Sequence, residues 1–314
     1  MTTIMLTGKN GQLGWELQRT LPTLATVVAF DRHTLDLSDH KLLRNTIRDI
    51  KPDLIVNAAA YTAVDQAEKE EDLAIAINAN APEIMAEEAK NLGAALIHYS
   101  TDYVFDGNKK EAYIESNIPN PNNIYGKSKL MGEQAIKSID IPHYIFRTSW
   151  VYAARGQNFL LTMLRLMQER ESLNIVDDQF GSPTWSRSIA EITGQFISHT
   201  NDRTGLDINT MKKLSGIYHL TSSSRTSWCD FAKEIRHQVS DRNIIKDSFH
   251  IQGIPTSQYP APAKRPVNSE LSTSKLSETF GVVCPDWKES LNLCIQDIPE
   301  NSRLISAIPD QAFL

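Results

Sequence analysis

Three side chains in the first half of the chain could together move a proton to a carbonyl group. Tyr125 and Lys129 are four residues apart, a spacing that puts both on one face of a helix. A free tyrosine has a pKa of ~10, and a neighbouring ammonium lowers that pKa, so the phenol could donate and regain a proton near neutral pH. Thr101, after a β-like run 24 residues upstream, could hydrogen-bond a substrate carbonyl. The alternatives are an exposed Tyr and Lys on a surface helix and a threonine that only caps a strand end.

A glycine-rich turn follows the first β-like run and has the spacing of a dinucleotide-binding loop, Gly8-Lys9-Asn10-Gly11-Gln12-Leu13-Gly14. Glycines let the backbone approach a pyrophosphate, and a helix predicted over Gly11–Leu21 would aim unpaired N–H groups and its positive dipole end at the phosphates. A glycine-rich turn without a ligand is the alternative. The position between a first strand and a first helix favours NAD(P) binding.

Two residues at the end of the second predicted strand bear on which cofactor is used. Asp31 lies about twenty residues beyond the loop, where a carboxylate accepts hydrogen bonds from the adenosine ribose of NADH. Arg32 follows it, and a guanidinium there could hold the 2′-phosphate of NADPH. The sequence therefore leaves both NADH and NADPH open.

The elements that must position these residues alternate along the N-terminal half. Short apolar runs are separated by amphipathic stretches, which is typical of a parallel sheet covered on both faces. The predicted strands are Ile4–Thr7, Thr26–Phe30, Leu54–Ala58, Ala94–Ser100, Tyr144–Val151, Leu173–Val176 and Ile217–Thr221. Further predicted helices are Ser38–Ile50 with a cap at Ser38, Pro82–Leu92, Asn158–Glu169, Ser186–His199 and Ser227–Gln238. The fold class is therefore α/β, a doubly wound parallel (Rossmann) sheet with a second, smaller, mixed α/β substrate lobe.

The regular alternation weakens after about residue 155, which divides the 314-residue chain into two lobes. We expect a dinucleotide-binding domain over 1–154 and 185–222, and a substrate-binding lobe over 155–184 and 223–314. The segment Ile254–Ser269 holds four prolines, so it is predicted to be an ordered loop lying over a cleft.

Composition and charge exclude several classes of protein. The net charge is −6 and the basic residues are scattered, which disfavours nucleic-acid partners. No signal-like or membrane-spanning stretch is found, so we expect a cytoplasmic protein without a membrane partner. Cys229, Cys284 and Cys294 lie far apart and form no CxxC pair, which predicts reduced, buried thiols and neither a disulfide framework nor a zinc site.

Seven motifs in order, over residues 1 to about 295, resemble the dTDP-4-dehydrorhamnose reductase family of extended short-chain dehydrogenases, which makes dTDP-L-rhamnose. Besides the glycine loop they are Val56-Asn57-Ala58-Ala59-Ala60-Tyr61-Thr62-Ala63-Val64-Asp65, Tyr99-Ser100-Thr101-Asp102-Tyr103-Val104-Phe105, Tyr125-Gly126-Lys127-Ser128-Lys129, Phe146-Arg147-Thr148-Ser149-Trp150-Val151-Tyr152, Asp178-Gln179-Phe180-Gly181-Ser182-Pro183-Thr184 and Arg265-Pro266.

The resemblance implies roles for individual residues. Beyond the glycines of the loop and Arg32, the implied cofactor-site residues are Gln12, Leu13, Asp31, Asp36, Leu37, Ala59, Ala60, Tyr61, Tyr99, Tyr125 and Lys129. Thr101, Asp102 and Trp150 would meet the sugar; for Trp150 the alternative is an aromatic side chain packed in the core after a strand. Arg265 is the candidate for the substrate diphosphate because a guanidinium fork matches phosphate oxygens; a surface arginine is the alternative.

In the reaction that the resemblance implies, a hydride from NAD(P)H reaches C4 of a keto-sugar while Tyr125 protonates the oxygen, and Lys129 keeps Tyr125 acidic. The alternatives are a reductase of another nucleotide-linked 4-keto-hexose such as a UDP-amino sugar, an epimerase or dehydratase with tightly held NAD, and a non-catalytic NAD(P)-binding regulatory subunit. A small-molecule nucleotide sugar is thus the expected partner, and a homodimer stays open.

A metal is the point at which the chain departs from the pattern of its relatives. Some members of the family hold a divalent ion through acidic residues at a dimer interface, and Glu16 fits one such ligand. Arg187 stands where a second carboxylate would be expected, which counts against, without excluding, a bridging ion such as Mg²⁺.

Overall fold

The computed structural model describes residues 2–201, 205–240 and 249–299. In chain order its strands are β1 (Thr3–Thr7), β2 (Thr26–Phe30), β3 (Leu54–Asn57), β4 (Ala95–Thr101), β5 (His143–Thr148), β6 (Val151–Tyr152), β7 (Ser172–Val176), β8 (Phe180–Gly181), β9 (Thr184–Trp185), β10 (Gly216–His219), β11 (Thr226–Ser227) and β12 (His250–Ile254). Its helices are α1 (Gln12–Thr20), α2 (His40–Ile50), α3 (Val64–Ala67), α4 (Glu71–Ile75), α5 (Ala81–Leu92), α6 (Ile124–Ser138), α7 (Phe159–Glu169), α8 (Ser186–His199), α9 (Ile208–Lys213), α10 (Trp228–Gln238), α11 (Ser274–Phe280) and α12 (Trp287–Gln296).

The main sheet has the strand order β10-β5-β4-β3-β1-β2, and all its pairs are parallel. The direction in which the chain crosses the sheet reverses between β1 and β3. In doubly wound sheets ligands bind in the crevice outside the carboxyl ends of the strands at such a reversal. The expected doubly wound fold is confirmed.

Both faces of the sheet are buried, and alternate residues of each strand point to opposite faces. Ile97 and Tyr99 of β4 belong to the apolar cluster that includes α1 and α8, while Leu96 belongs to the cluster that includes α2 and α5. The even-numbered residues at the end of β4 therefore lie on the face opposite Tyr99.

A separate apolar cluster lies outside the main sheet. It joins side chains of α7, α10 and α12 with Leu173 and Ile175 of β7. These elements supply the second core of the molecule, while the division of the chain at the expected domain boundaries stays a prediction. Within the described residues, no helix is both long enough and apolar enough to cross a bilayer.

The structure corrects three local expectations. The strand expected at Leu173–Val176 does not join the main sheet; it pairs with β12 in a small separate sheet. No local sequence pattern reveals this pairing, since β12 lies more than 70 residues further along the chain. The strand at Ile217–Thr221 ends at His219 and is the edge of the main sheet, beside β5. Helix α2 is capped by Asp39, whose side chain accepts from the Leu42 N–H, and not by Ser38, whose hydroxyl donates to Asp36.

Candidate active site

The glycine loop joins β1 to α1 at the reversal of the sheet. Gly8 has φ +75°, and a Cβ there would stand 2.8 Å from the backbone nitrogen of Ala59. A Cβ at Gly14 would collide with the Gly8 carbonyl. Gly11 precedes the helix and has no side chain over its first turn, where N–H groups lack helical partners. This open, positively polarised cradle fits a dinucleotide pyrophosphate.

The loop is also fixed from its far side. Leu13 is buried, and Gln12 accepts a hydrogen bond from Asn158 Nδ2 at 3.0 Å and donates to the Val151 carbonyl at 3.5 Å. Gln12 therefore links the loop to the segment that enters α7.

The Asp31 carboxylate lies beside the glycine loop at the end of β2. It accepts the Thr34 hydroxyl at 2.9 Å and Asn10 Nδ2 at 3.0 Å, and lies 3.3 Å from Lys9 Nζ. The hydrogen bonds from Thr34 are the main reason why the pKa of Asp31 falls to about 2. An ionised carboxylate is thus held where a ribose could meet it.

The neighbours of Asp31 differ in exposure. The Arg32 side chain is 75% exposed, and its contact with the Asp36 carboxylate is long, at 3.8 Å. Its guanidinium can therefore turn towards a 2′-phosphate. Asp36 accepts from the backbone and hydroxyl of Ser38, and Leu37 is buried. Asp36 and Leu37 therefore shape the turn between β2 and α2.

Ala59, Ala60 and Tyr61 follow β3 and border the crevice next to Gly8, and all three are partly buried. The Tyr61 hydroxyl donates to Glu70 at 2.7 Å, and desolvation, followed by the Glu70 contact, raises the pKa of Tyr61 to about 12. The small side chains of the two alanines leave room for a cofactor.

Tyr99 departs from its expected role. Its ring is buried in the core on the α8 face, where its hydroxyl pairs with Thr193 at 2.8 Å. The reason is the alternation of β4, which turns Tyr99 away from α6. Only its backbone carbonyl reaches the site, where it accepts from Lys129 Nζ at 2.6 Å.

Thr101 ends β4, and Asp102 begins the turn that follows. The Thr101 hydroxyl donates to Asp102 Oδ1 at 2.8 Å and accepts from the Tyr103 N–H at 3.2 Å. Asp102 is 2% exposed, and its Oδ2 lacks a hydrogen-bond partner among the described residues. Burial raises the pKa of Asp102 to about 7, so this carboxyl can hold a proton in the neutral range.

Tyr125 and Lys129 lie one turn apart on α6, as the spacing predicts. The Thr101 side chain acts to lower the pKa of the Tyr125 phenol, and the Tyr125 ring packs edge-on against Tyr103. The sequence suggested that Lys129 lowers the pKa of this phenol. Desolvation dominates instead and raises the pKa of Tyr125 to about 12.

Lys129 is almost completely buried, at 1% exposure. Desolvation lowers its pKa to about 7, and the Glu133 carboxylate one turn further along α6 acts in the opposite direction. Lys129 is therefore not a permanent charge that could keep Tyr125 acidic; it is a group that gains and loses a proton near neutral pH.

Trp150 lies beyond the end of β5 with φ +48°, a conformation that bulky residues rarely adopt. Its indole stacks on Trp228 with centroids 3.5 Å apart and planes 9° apart. A Cβ at Gly181 would stand 2.6 Å from the Trp150 ring. The strained backbone is held by this packing, and the two half-buried indoles form one apolar surface.

Arg265 lies on the proline-rich segment, which contains one short helical turn at Thr256–Gln258. Its guanidinium is paired with Asp65 at 2.9 Å, and Asp65 also accepts from the Ala263 N–H. Together with the hydrogen bond from Asn123 to the Lys264 carbonyl, this pair fastens the segment to α3 and to the start of α6. Arg265 is therefore an ion-paired residue and not a free surface arginine.

Glu16 and Arg187 meet each other. Arg187 Nε lies 3.2 Å from Glu16, and its terminal nitrogen lies 2.6 Å from Asp297. A guanidinium thus occupies the space between the two carboxylates where a cation would sit, and the described residues contain no acidic, histidine or cysteine cluster suited to a metal. These residues do not fit a divalent ion.

Several residues of the site were not predicted from the sequence. Arg147 and Glu133 form a fully buried ion pair under α6, and His98 contacts Lys129. Asn57 and Asp65 lay within the predicted motifs, but their partners are 41 and 200 residues away. The sequence signal that could have revealed Asn57 and His98 is a polar residue within a strand that is otherwise apolar and buried.

A dinucleotide cradle, a hydroxyl and a Tyr–Lys pair at one edge of a doubly wound sheet define a short-chain dehydrogenase/reductase. The comparisons agree with this class. Residues 1–299 match the model of the RmlD substrate binding domain family.

Relatives of known name narrow the class. The chain is 46% identical to a dTDP-4-dehydrorhamnose reductase of Burkholderia thailandensis, over 94% of this chain and 98% of that one. It is 43% identical to the Escherichia coli K12 enzyme of the same name, over 94% and 97%. A crystal structure of dTDP-4-dehydrorhamnose reductase from Bacillus anthracis in complex with NADP superposes with a TM-score of 0.85 at 36% identity, over 95% and 100%. The chain belongs to the dTDP-4-dehydrorhamnose reductase family, as the motifs predicted.

Proposed function

We propose that this chain catalyses the NAD(P)H-dependent reduction of the 4-keto group of dTDP-4-dehydro-L-rhamnose to give dTDP-L-rhamnose. The observation that carries the proposal is that Thr101 ends β4 at the carboxyl edge of the sheet and acts on the phenol of Tyr125, which lies one turn before Lys129 on α6. The names of the relatives above support the choice of substrate.

The cofactor would lie across the reversal of the sheet, with its pyrophosphate on Gly8, Gly11 and the first turn of α1. When bound, NADPH or NADH supplies the hydride for the reduction. Asp31 would meet the adenosine ribose and Arg32 a 2′-phosphate, which supports use of both cofactors. The NADP complex of the Bacillus anthracis relative supports NADPH.

Tyr125 would protonate the oxygen at C4. A proton donor must carry its proton at the working pH, and a pKa of about 12 keeps the phenol protonated throughout the neutral range. Lys129, with a pKa of about 7, is a far stronger acid than the phenol and is suited to return a proton to it after each turnover.

Thr101 would stabilise the negative charge that develops on the same oxygen. In the free structure its proton points to Asp102, so it can donate to substrate once Asp102 is protonated or the hydroxyl turns. Because the pKa of Asp102 is raised to about 7, the protonated carboxyl is accessible under working conditions.

The Trp150–Trp228 surface offers apolar contact to the methyl group of a deoxysugar, and Arg265 could exchange Asp65 for the diphosphate. We further infer that the chain acts in the cytoplasm, since its three cysteines are buried free thiols. A homodimer stays open. Size-exclusion chromatography with light scattering tests the dimer.

The function is tested by following the oxidation of NADPH, and separately of NADH, by absorbance. One series of reactions contains dTDP-4-dehydro-L-rhamnose, and a second series contains a UDP-linked 4-keto amino sugar as the alternative substrate. We expect turnover with the dTDP sugar. Tyr125→Phe should lower kcat by ~10²-fold or more while cofactor binding stays nearly unchanged. A variant that keeps a tenth of the wild-type rate, or turnover with the UDP sugar alone, would overturn the proposal.

A further inference from the structure

A row of buried polar side chains crosses three adjacent strands beneath α6. Thr7 of β1 is the register partner of Asn57 of β3, which is in turn the register partner of His98 of β4. Each of the three is 1% exposed, on the face of the sheet whose apolar residues pack against α2 and α5. The row ends at Lys129 Nζ, 3.2 Å from His98 Nε2. A buried polar row of this kind needs a reason, since each unpaired member would cost stability.

The first contacts fix the orientation of the Asn57 amide. Its Oδ1 accepts the Thr7 hydroxyl at 2.7 Å and the backbone N–H of Ala59 at 3.3 Å. A backbone N–H can only donate, so the atom it meets must be the amide oxygen. The NH₂ group of Asn57 therefore faces His98, with Nδ2 3.0 Å from the imidazole Nδ1.

This orientation selects one tautomer of His98. Because the Asn57 amide donates to Nδ1, that nitrogen carries a lone pair, and the proton of a neutral imidazole lies on Nε2. Burial holds the pKa of His98 well below its ordinary value, so the ring is neutral. The Nε2–H bond therefore points at Lys129.

An uncharged amine at Lys129 completes the row, whereas an ammonium does not. The amine accepts from His98 Nε2–H with its lone pair and donates to the Tyr99 carbonyl at 2.6 Å. An ammonium has only donors, so it would oppose one N–H with another. The other tautomer of His98 would move that conflict to Asn57, and either arrangement loses a buried hydrogen bond.

The charged and titratable groups around Lys129 do not reverse this preference. Glu133, one turn along α6, favours the ammonium, but its carboxylate is bound by Arg147 of β5. Tyr125 lies one turn earlier on α6, and Asp102 follows the end of β4. Burial outweighs the Glu133 charge at Lys129, in agreement with the hydrogen-bond pattern.

We propose that Asn57 and His98 are positioning residues that lock the His98 tautomer and thereby favour the uncharged amine of Lys129 in the free protein. The catalytic use of this device rests on the proposed function: once Lys129 has taken up a proton from solvent, the lock makes it give that proton readily to Tyr125. The lock itself is a property of the free chain.

The test is therefore made without substrate or cofactor. In ¹⁵N NMR spectra of histidine-labelled protein, His98 should be protonated at Nε2 and unprotonated at Nδ1 across about pH 6 to 8. The variant His98→Gln assigns the signal among the eight histidines. In a ¹³C titration of the lysine side chains, assigned by Lys129→Met, Lys129 should titrate near pH 7.

Asn57→Asp reverses the lock, because a carboxylate accepts from Nδ1–H and leaves Nε2 free to accept from an ammonium. We expect the tautomer to switch and the proton affinity of Lys129 to rise by about tenfold or more. Thr7→Val is the matched control: Ala59 still orients the amide, so the tautomer should not change.

An Nδ1-protonated His98 in the wild type overturns the proposal, as does a Lys129 titration that stays fixed when Asn57→Asp switches the tautomer. If Asn57→Asp does not fold, the wild-type tautomer alone decides. A failed lock with intact turnover would leave the proposed function standing, and a confirmed lock without turnover would refute that function alone.

Discussion

Replacing Arg147 with methionine should destabilise the protein far more than replacing both members of its ion pair. Arg147 and Glu133 are each 1% exposed, and their two hydrogen bonds measure 2.9 and 2.6 Å. The Ser100 hydroxyl donates a third hydrogen bond to the same carboxylate at 2.6 Å. With Arg147 removed, Glu133 would remain as a buried charge with a single neutral donor.

Breaking one partner of a fully buried pair costs about 3–5 kcal/mol. For 314 residues with an unfolding entropy of about 2.1 cal/mol/K each, that loss lowers the apparent Tm by about 5–8 °C. The double variant Glu133→Leu/Arg147→Met removes both charges and their desolvation cost together. Its free energy of unfolding should lie within about 2 kcal/mol of the wild type.

The assay is a double-mutant cycle by circular dichroism, in heat and in urea, with Glu133→Leu as the second single variant. Both single variants should be much less stable than the double variant, so the coupling between the two sites should exceed about 2 kcal/mol. Single losses below about 1 kcal/mol, or a double loss equal to their sum, would refute the argument. Since Glu133 lies one turn from Lys129, the pair also anchors the part of α6 that carries Lys129 to β5.

Three further variants test the cofactor, substrate and proton sites. Asp31→Ala should shift the ratio of kcat/KM values towards NADPH, because it removes the carboxylate that repels a 2′-phosphate near Arg32; an unchanged ratio would place the ribose elsewhere. Arg265→Ala should raise the KM for the sugar nucleotide about 10- to 100-fold with little change in kcat, since the contact is made in both ground and transition states, and an unaltered KM would move the diphosphate away from the Asp65–Arg265 pair. The wild-type kcat/KM should fall as pH rises past about 7, because Asp102 loses its proton there, and Asp102→Asn should remove the Asp102 contribution to that fall; the same profile in the variant would contradict it.

Much of the local geometry of the candidate cofactor site could be predicted because its signals are local. The glycine loop is seven consecutive residues, and Gly8 and Gly14 are required by contacts within or next to that loop. The Tyr125–Lys129 spacing fixes a shared helical face once the segment is helical. Such features depend on dihedral angles and helical periodicity, which the sequence carries directly.

The rest depends on pairings that sequence spacing does not encode. Strand β4 is buried on both faces, so no polar alternation shows that His98 faces Lys129 while Tyr99 turns to α8. The Asn57–His98 contact exists only through the register of β3 on β4. The direction of the Tyr125 pKa shift was predicted wrongly because helical spacing reveals the neighbour Lys129 and not the depth of burial, which raises the pKa.

The most direct test of the central claim is the fate of a labelled hydride. The reaction is run with NADPH carrying deuterium at the transferable position of the nicotinamide, and the sugar product is analysed by NMR. The account predicts one deuterium at C4 of dTDP-L-rhamnose for each cofactor oxidised. A product without deuterium at C4, or one formed without net oxidation of the cofactor, would contradict it.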